Sequence, residues 1–417
     1  MNIQFRQVAS FIIVATFVVV LLGLGIRDEA KSVATILTDS LEDSRTSSKR
    51  PNFPQYIQMT SLSSEDLALE RPGRRIIIIG DVHGMNNSMH DILSKLHYDS
   101  SRDLLIHVGD ILAKGTLEGS LAVLSYMTSN NVTGVRGNHD QKVIEWRAWL
   151  EQVLAHKGGQ AWLEEMERKS QDELKIYAKK GKGKGWKKIP KGWKMLEDHY
   201  MIAKSMYPDQ YKYLISLPLV IHAPSLHSFI VHAGMLPLDP HRSISNSRQP
   251  LSHIPSLSDK LKAPNITALR EAQELSLLSE VPQNLDPWVL LNIRGVLNNN
   301  EVTRSTSDGN PWSDLWTTVL DRCRGFDGAL TLEDVEDASS NLKPKLPCHP
   351  STIVYGHAAA RGLDIKRWSM GLDTGCVYQR KLTALIIGPE NSGDGSLETQ
   401  SIKFGESRKA RVVSIKC

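Results

Sequence analysis

Four isoleucines at 76–79 run directly into Gly80, Asp81, Val82, His83 and Gly84. A short β-branched run closed by glycine predicts a fully buried strand. The carboxylate and imidazole that follow therefore stand where that strand leaves its sheet. One such turn constrains little, because a Gly-Asp turn after a strand is common and a neighbouring histidine is usually a polar surface residue. The device recurs, however. The apolar run 104–108 ends in Gly109 and Asp110, and 132–135 leads into Arg136, Gly137, Asn138, His139 and Asp140. Two further runs, "SFIVHAG" and "STIVYGHAA", end in His232 and His357. Five strand ends thus present metal-type side chains.

Such ends converge for a physical reason. In open α/β sheets the crevice beyond the carboxyl ends of the strands is where backbone leaves the ladder and side chains can meet. Glycines beside the polar residues let the chain turn without a Cβ clash and approach an ion closely. The donors are Asp, His and Asn with no thiolate among them. That set suits Zn, Mn, Fe or Co rather than a structural all-cysteine zinc site.

In this order GDVHG, GDILAKG, GNHD and two single histidines, spread over residues 74–388, resemble the calcineurin-like metallophosphoesterases of the phosphoprotein-phosphatase superfamily. The resemblance implies an α/β fold, a four-layer αββα sandwich with a di-metal site at its strand ends. It implies that Asp81 and His83 hold one divalent ion, that Asn138, His232 and His357 hold a second, and that Asp110 bridges both. Two such ions, about 3.5–4 Å apart, lower the pKa of a water from about 15.7 towards about 7 for in-line attack on phosphorus. His139, next to Asn138, looks like the general acid that protonates the leaving oxygen. Arg136, Lys114 and Arg294 are the candidate phosphate clamps. For Arg136 a surface salt bridge is the alternative, and Arg294 rests only on its place between the two late histidine motifs.

One departure stands out. Where protein phosphatases of this family carry Asp-Arg in GDxVDRG, this chain has Ala113 and Lys114. The missing Asp normally orients the acid histidine, so the neighbouring Asp140 is expected to steady His139 instead. Lysine replaces a planar bidentate fork by a mobile point charge, which suits a repetitive polyanion better than a phosphoprotein.

At 417 residues, 41% apolar and 23% charged, the chain can bury a large core, and a net charge of +4 is too mild to name a partner. Cys323, Cys348, Cys376 and Cys417 show no CxxC spacing. The first two could pair in an oxidising lumen or remain free thiols, and Cys376 reads as core packing.

After a short tail at 1–7, residues 8–26 give 19 positions without a charge, flanked by Arg6 and Arg27. Roughly 20 such residues span a bilayer, so an N-terminal transmembrane anchor is favoured over a cleaved signal peptide. Residues 27–72 read as a flexible stalk and 73–417 as the catalytic domain, with a Lys-rich helical insertion at 141–198. Within that insertion 179–194 pack eight lysines into 16 residues, with Trp186 and Trp193 as possible stacking faces. A solvated loop and a polyanion-gathering arm are both consistent with this.

The anchor, the Ala-Lys variant and the late "GLDTGCVY" block make the chain similar to the fungal vacuolar metal-dependent endopolyphosphatase branch of the family. That resemblance implies a single-pass membrane protein of the vacuole or secretory pathway, with a lumenal domain that cuts inorganic polyphosphate internally using two divalent ions (Zn, Co, Mn or Fe). The alternatives are hydrolysis of dinucleoside polyphosphates, dephosphorylation of phosphoproteins, and a membrane-tethered phosphate-binding protein without turnover. The partners expected are a polyanionic phosphate and the membrane. No specific nucleic acid is expected, and nothing in the sequence names a protein partner.

Overall fold

The computed structural model describes residues 56–179, 185–190, 192–257, 265–326, 345–389 and 398–417. The expected membrane span, the stalk before residue 56 and the loop lysines Lys180, Lys182, Lys184 and Lys191 lie outside the described residues. Among the described residues no helix is long and apolar enough to cross a membrane.

Two units emerge, Pro54–Leu150 with Lys194–Cys417, and the smaller Glu151–Trp193. In the smaller one, helices Gly159–Glu167 and Gln171–Lys179 are described, with Trp162, Leu163, Met166, Leu174 and Ile189 buried. Trp186, expected as a stacking face for ligands, stacks on His156 at 5.1 Å and meets Trp162 edge-on at 5.8 Å. Its ring is used in the unit's own packing.

The larger unit contains a small three-stranded sheet of β7 (Gly295–Val296), β8 (Val302–Thr303) and β9 (Asn310–Pro311), and two mixed six-stranded sheets. In one, β2 (Arg75–Ile79), β3 (Asp103–His107) and β4 (Thr133–Gly134) run parallel side by side. Antiparallel β13 (Lys381–Ile387), β15 (Arg408–Lys416) and β14 (Glu398–Phe404) continue it in the order β14-β15-β13-β2-β3-β4. The other has the order β1-β5-β6-β10-β12-β11, made from β1 (Ile57–Ser61), β5 (Pro218–Ala223), β6 (Ser228–Val231), β10 (Thr352–Tyr355), β11 (Asp364–Ile365) and β12 (Ser369–Gly371). There β6, β10 and β12 are parallel neighbours.

Ile76, Ile78, Ile106, Ile221, Ile230, Val354, Met370 and Leu385 draw on both sheets and form one apolar cluster. A second cluster joins the other sheet's Leu219, Phe229, Val231 and Ile353 to Leu277, Trp312 and Trp316 of helices Ile266–Ser279 and Trp312–Leu320. The order of elements follows from this. Strands β2, β6 and β10 are buried at every position, so their polar neighbours can reach solvent only past the strand ends.

Two expectations need correction. Residues 57–67, assigned by composition to the stalk, form β1, paired in parallel with β5, and a short helix Ser64–Leu67 that buries Leu67. An edge strand takes its stability from backbone pairing, so its weak apolar pattern hid it. Cys376 is not merely core packing: it is bonded to Cys417 across 41 residues, and Cys323 to Cys348 across 25. Replacing Cys376 and Cys417 together by serine should lower the unfolding free energy by about 2–4 kcal/mol, read as a lower urea midpoint. A midpoint moved by neither the substitutions nor reductant would show that the pair does not form.

Candidate metal centre

The parallel β2, β3 and β4 release Asp81 and His83, Asp110, and Asn138 on one side; β6 and β10 release His232 and His357 on the other. The two sets meet. Asp110 Oδ2 lies 3.6 Å from His83 Nε2 and 3.4 Å from His232 Nε2. Asn138 Oδ1 is 3.0 Å from both His232 Nε2 and His357 Nδ1. Ligand atoms of Asp81, His83 and Asp110 fall within 4.8 Å of one another, and so do those of Asp110, His232 and His357. Asp110 belongs to both groups.

Each imidazole is held from behind. His83 Nδ1 is 3.1 Å from the Leu112 carbonyl, His232 Nδ1 2.9 Å from that of Val108, and His357 Nε2 3.3 Å from that of Asn292. Carbonyls only accept, so those nitrogens carry the protons. The opposite lone pairs then face inward, as in metal-binding histidines with an outer partner. This fits the donor set to two divalent cations.

Backbone geometry serves the same end. A Cβ on Gly137 would stand 2.2 Å from Asp110 Oδ1, and one on Gly356 would stand 2.0 Å from Asp81 Oδ1. His83, Asp110 and His357 themselves have φ of 47°, 48° and 67°. Left-handed backbone at non-glycine residues costs on the order of 1–3 kcal/mol each and gathers at functional sites.

Burial, then Asp373 and Asp110, push the Asp81 carboxyl well up. Desolvation would do the same to Asp110, yet the neighbouring His232 imidazole holds it well below the usual range. Three carboxylates in one dry site repel one another, which divalent cations relieve. Asp373, in "GLDTG" just after β12, was missed from the sequence, although it obeys the same strand-end pattern.

The cationic candidates separate. Arg294 is at the site: its guanidinium donates to the carbonyls of Arg304 and His357. Lys114 lies at the rim, its ammonium 5.7 Å from the Tyr378 ring. Arg136 must be corrected. It is fully buried, bonded to Gln141 Oε1 and the Ile215 carbonyl, with the Tyr56 ring 5.4 Å away, and so stands away from solvent as a structural group. Arg361, unmarked by any motif, donates to the Arg294 carbonyl.

His139 opens helix Asn138–Leu154, its amide donating to Asp110 Oδ1 at 2.8 Å. Burial pushes its imidazole down to about 2 against the pull of Asp110, so the resting ring is neutral. Asp140 does not steady it. Successive helical residues face different ways, and the Asp140 carboxylate instead accepts from Leu112 N at 3.2 Å and Gly137 N at 2.9 Å. The partner of His139 Nδ1 is His199, 2.8 Å away, a residue no sequence signal had marked.

Residues 74–268 match the family model described as calcineurin-like phosphoesterase. A symmetrical bis(5'-nucleosyl)-tetraphosphatase of Coxiella burnetii is 26% identical over 340 residues, 78% of this chain and 92% of that protein. Serine/threonine-protein phosphatase 1 of Salmonella typhimurium is 33% identical over 89 residues, and this match spans 21% of the chain and 40% of the relative. Among solved structures, a protein serine/threonine phosphatase from Saccharomyces cerevisiae with similarity to human phosphatase PP5 aligns with a TM-score of 0.39 at 14% identity, covering 88% of this chain and 85% of that one. Residues 74–268 are thus similar to the calcineurin-like phosphoesterases, a metal-dependent phosphoesterase family.

If Asp110 serves both ions, Asp110→Asn should cut bound divalent metal from about two equivalents to below one, measured by elemental analysis after dialysis. His139→Ala should keep both, and loss of metal from it would make His139 a ligand. Arg136→Met should lower thermal stability and leave KM unchanged; a raised KM at unchanged stability would restore it to the substrate site.

Proposed function

We propose that the chain hydrolyses phosphoanhydride bonds within chains of phosphates, with dinucleoside polyphosphates as the substrate class. The observation that carries this reading is the arginine pair beside the metal ligands. Burial, then Arg361, push the Arg294 guanidinium down, and Arg304 adds to the repulsion. Arg294 Nε and Arg361 Nη1 are buried with no hydrogen-bond partner among the described residues. Like charges held together with idle donors are matched by a phosphate-type anion. The bis(5'-nucleosyl)-tetraphosphatase name of the relative that aligns over 78% of the chain supports the same class.

Two divalent ions bound by Asp81, His83, Asp110, Asn138, His232 and His357 would supply a water of lowered pKa and neutralise phosphoryl oxygens. Arg294 and Arg361 would hold the flanking phosphates, and Lys114 at the rim would attract the incoming chain. His139, neutral at rest, would first gain a proton from solvent on Nε2, as the negative charge of a bound substrate favours, and then pass it to the departing oxygen.

A second reading, internal cleavage of inorganic polyphosphate, is favoured by the eight lysines of 179–194. A membrane-anchored, lumenal location in the vacuole or secretory pathway is part of the proposal. It draws on the uncharged segment 8–26 and on the pairing of all four cysteines in two disulfides, which persist in oxidising compartments.

The test assays full-length protein, loaded with divalent metal, on diadenosine tetraphosphate, long-chain polyphosphate, a phosphopeptide and phenyl phosphate. The anhydrides should exceed both monoesters in kcat/KM by at least about tenfold, one lost charged hydrogen bond being worth that much. Arg361→Ala should raise KM for diadenosine tetraphosphate by about the same factor and leave phenyl phosphate nearly unchanged. A phosphopeptide turned over best would contradict the reading.

A further inference from the structure

We infer that His199, braced by Asp198, is the positioning residue for His139. The inference rests on the proposed role of His139 as proton donor and adds what sets its ring.

A continuous chain of polar contacts carries it. The Lys114 amide donates to Asp198 Oδ2 at 2.9 Å. Asp198 Oδ1 lies 2.7 Å from His199 Nδ1. His199 Nε2 lies 2.8 Å from His139 Nδ1, and the two rings stack 5.0 Å apart at 18°. A carboxylate accepts, so His199 carries its proton on Nδ1 and offers the Nε2 lone pair. His139 then donates from Nδ1, which leaves its Nε2 for the site. The His139 ring also meets that of His83 edge-on at 5.2 Å.

Asp198 is itself secured at the loop that bounds the site. Ala113 and Lys114 have φ of 69° and 63°, and this left-handed turn aims the Lys114 amide at the carboxylate. Ala113 offers no side-chain acceptor, and its amide is bonded to Ser120 Oγ. Asp198 and His199 open helix Asp198–Ser205, whose Tyr200, Ile202 and Ala203 are buried. A packed helix start is a rigid platform for both groups. With Asp140 turned to Leu112 and Gly137, His199 is the only side chain shown bonded to the His139 ring among the described residues.

An imidazole fixed through Nδ1 loses the rotation about χ2 that would carry Nε2 away from the leaving oxygen. The effect should therefore appear in turnover and depend on how much the leaving group needs a proton. Phenyl phosphate needs one; p-nitrophenyl phosphate needs it far less.

The experiment compares wild type, His139→Ala, His199→Ala, His199→Gln and Asp198→Asn, all full-length and metal-loaded, on both esters. In His199→Ala, kcat for phenyl phosphate should fall by about 10²-fold, the lower end of a general-acid contribution. For p-nitrophenyl phosphate kcat should stay within about threefold, and KM and metal content should hold for both. Glutamine places an amide oxygen near the position of Nε2, so His199→Gln should recover most of the loss, with Asp198→Asn in between. In ¹⁵N-histidine spectra the His139 Nδ1–H signal, identified by its absence in His139→Ala, should broaden or vanish in His199→Ala. Equal losses on both esters, or an unmoved signal, would overturn the inference. If His139→Ala itself shows no leaving-group dependence, the proton-donor reading fails. If it does and His199→Ala does not, only the positioning role fails.

Discussion

A single buried carboxylate, Asp110, organises the centre. It stands between imidazoles from opposite sheets, His83 on one side and His232 on the other, and it receives the backbone amide that opens the helix carrying Asn138 and His139. A charge so deeply buried costs several kcal/mol unless compensated. The surrounding chain reflects that cost: glycines at 109 and 137 let backbone approach within contact distance, and the left-handed turns at His83, Asp110 and His357 aim their side chains inward. Such strain persists because the apolar cluster between the sheets holds the strand ends in place.

This arrangement divides labour by element. Strand ends supply the ligands, and a helix start supplies the candidate proton donor. The cations come from elsewhere: Arg294 from the link between helix Pro287–Asn292 and the strand at Gly295–Val296, and Arg361 from the turn after β10. Rigid strands suit the candidate ligands, whose geometry must hold. The same logic places His199 and Asp198 at the start of a packed helix rather than in a loop.

The metal site was legible because it repeats. Each candidate ligand follows an apolar run with a glycine close by, the family resemblance singles out Asp81, His83, Asp110, Asn138, His232 and His357 among them, and the structure brings these six together. Asp373 also lies just past a strand, β12, but no family motif singles it out. Other features leave no local trace. Arg136 lies in a site motif yet is buried, because its burial depends on Gln141, Ile215 and Tyr56, residues far apart in sequence. His199 is 60 residues from His139, and no spacing rule joins them. Strand β1 lay hidden in a polar stretch because its partner β5 comes more than 150 residues later.

The most direct test is anomalous diffraction from crystals of the protein grown with Zn or Mn, collected at the metal edge. The account predicts two peaks about 3.5–4 Å apart, one on each side of the Asp110 carboxylate, with Asp81 and His83 around the first and Asn138, His232 and His357 around the second. A single peak, or two peaks that do not share Asp110, would contradict it.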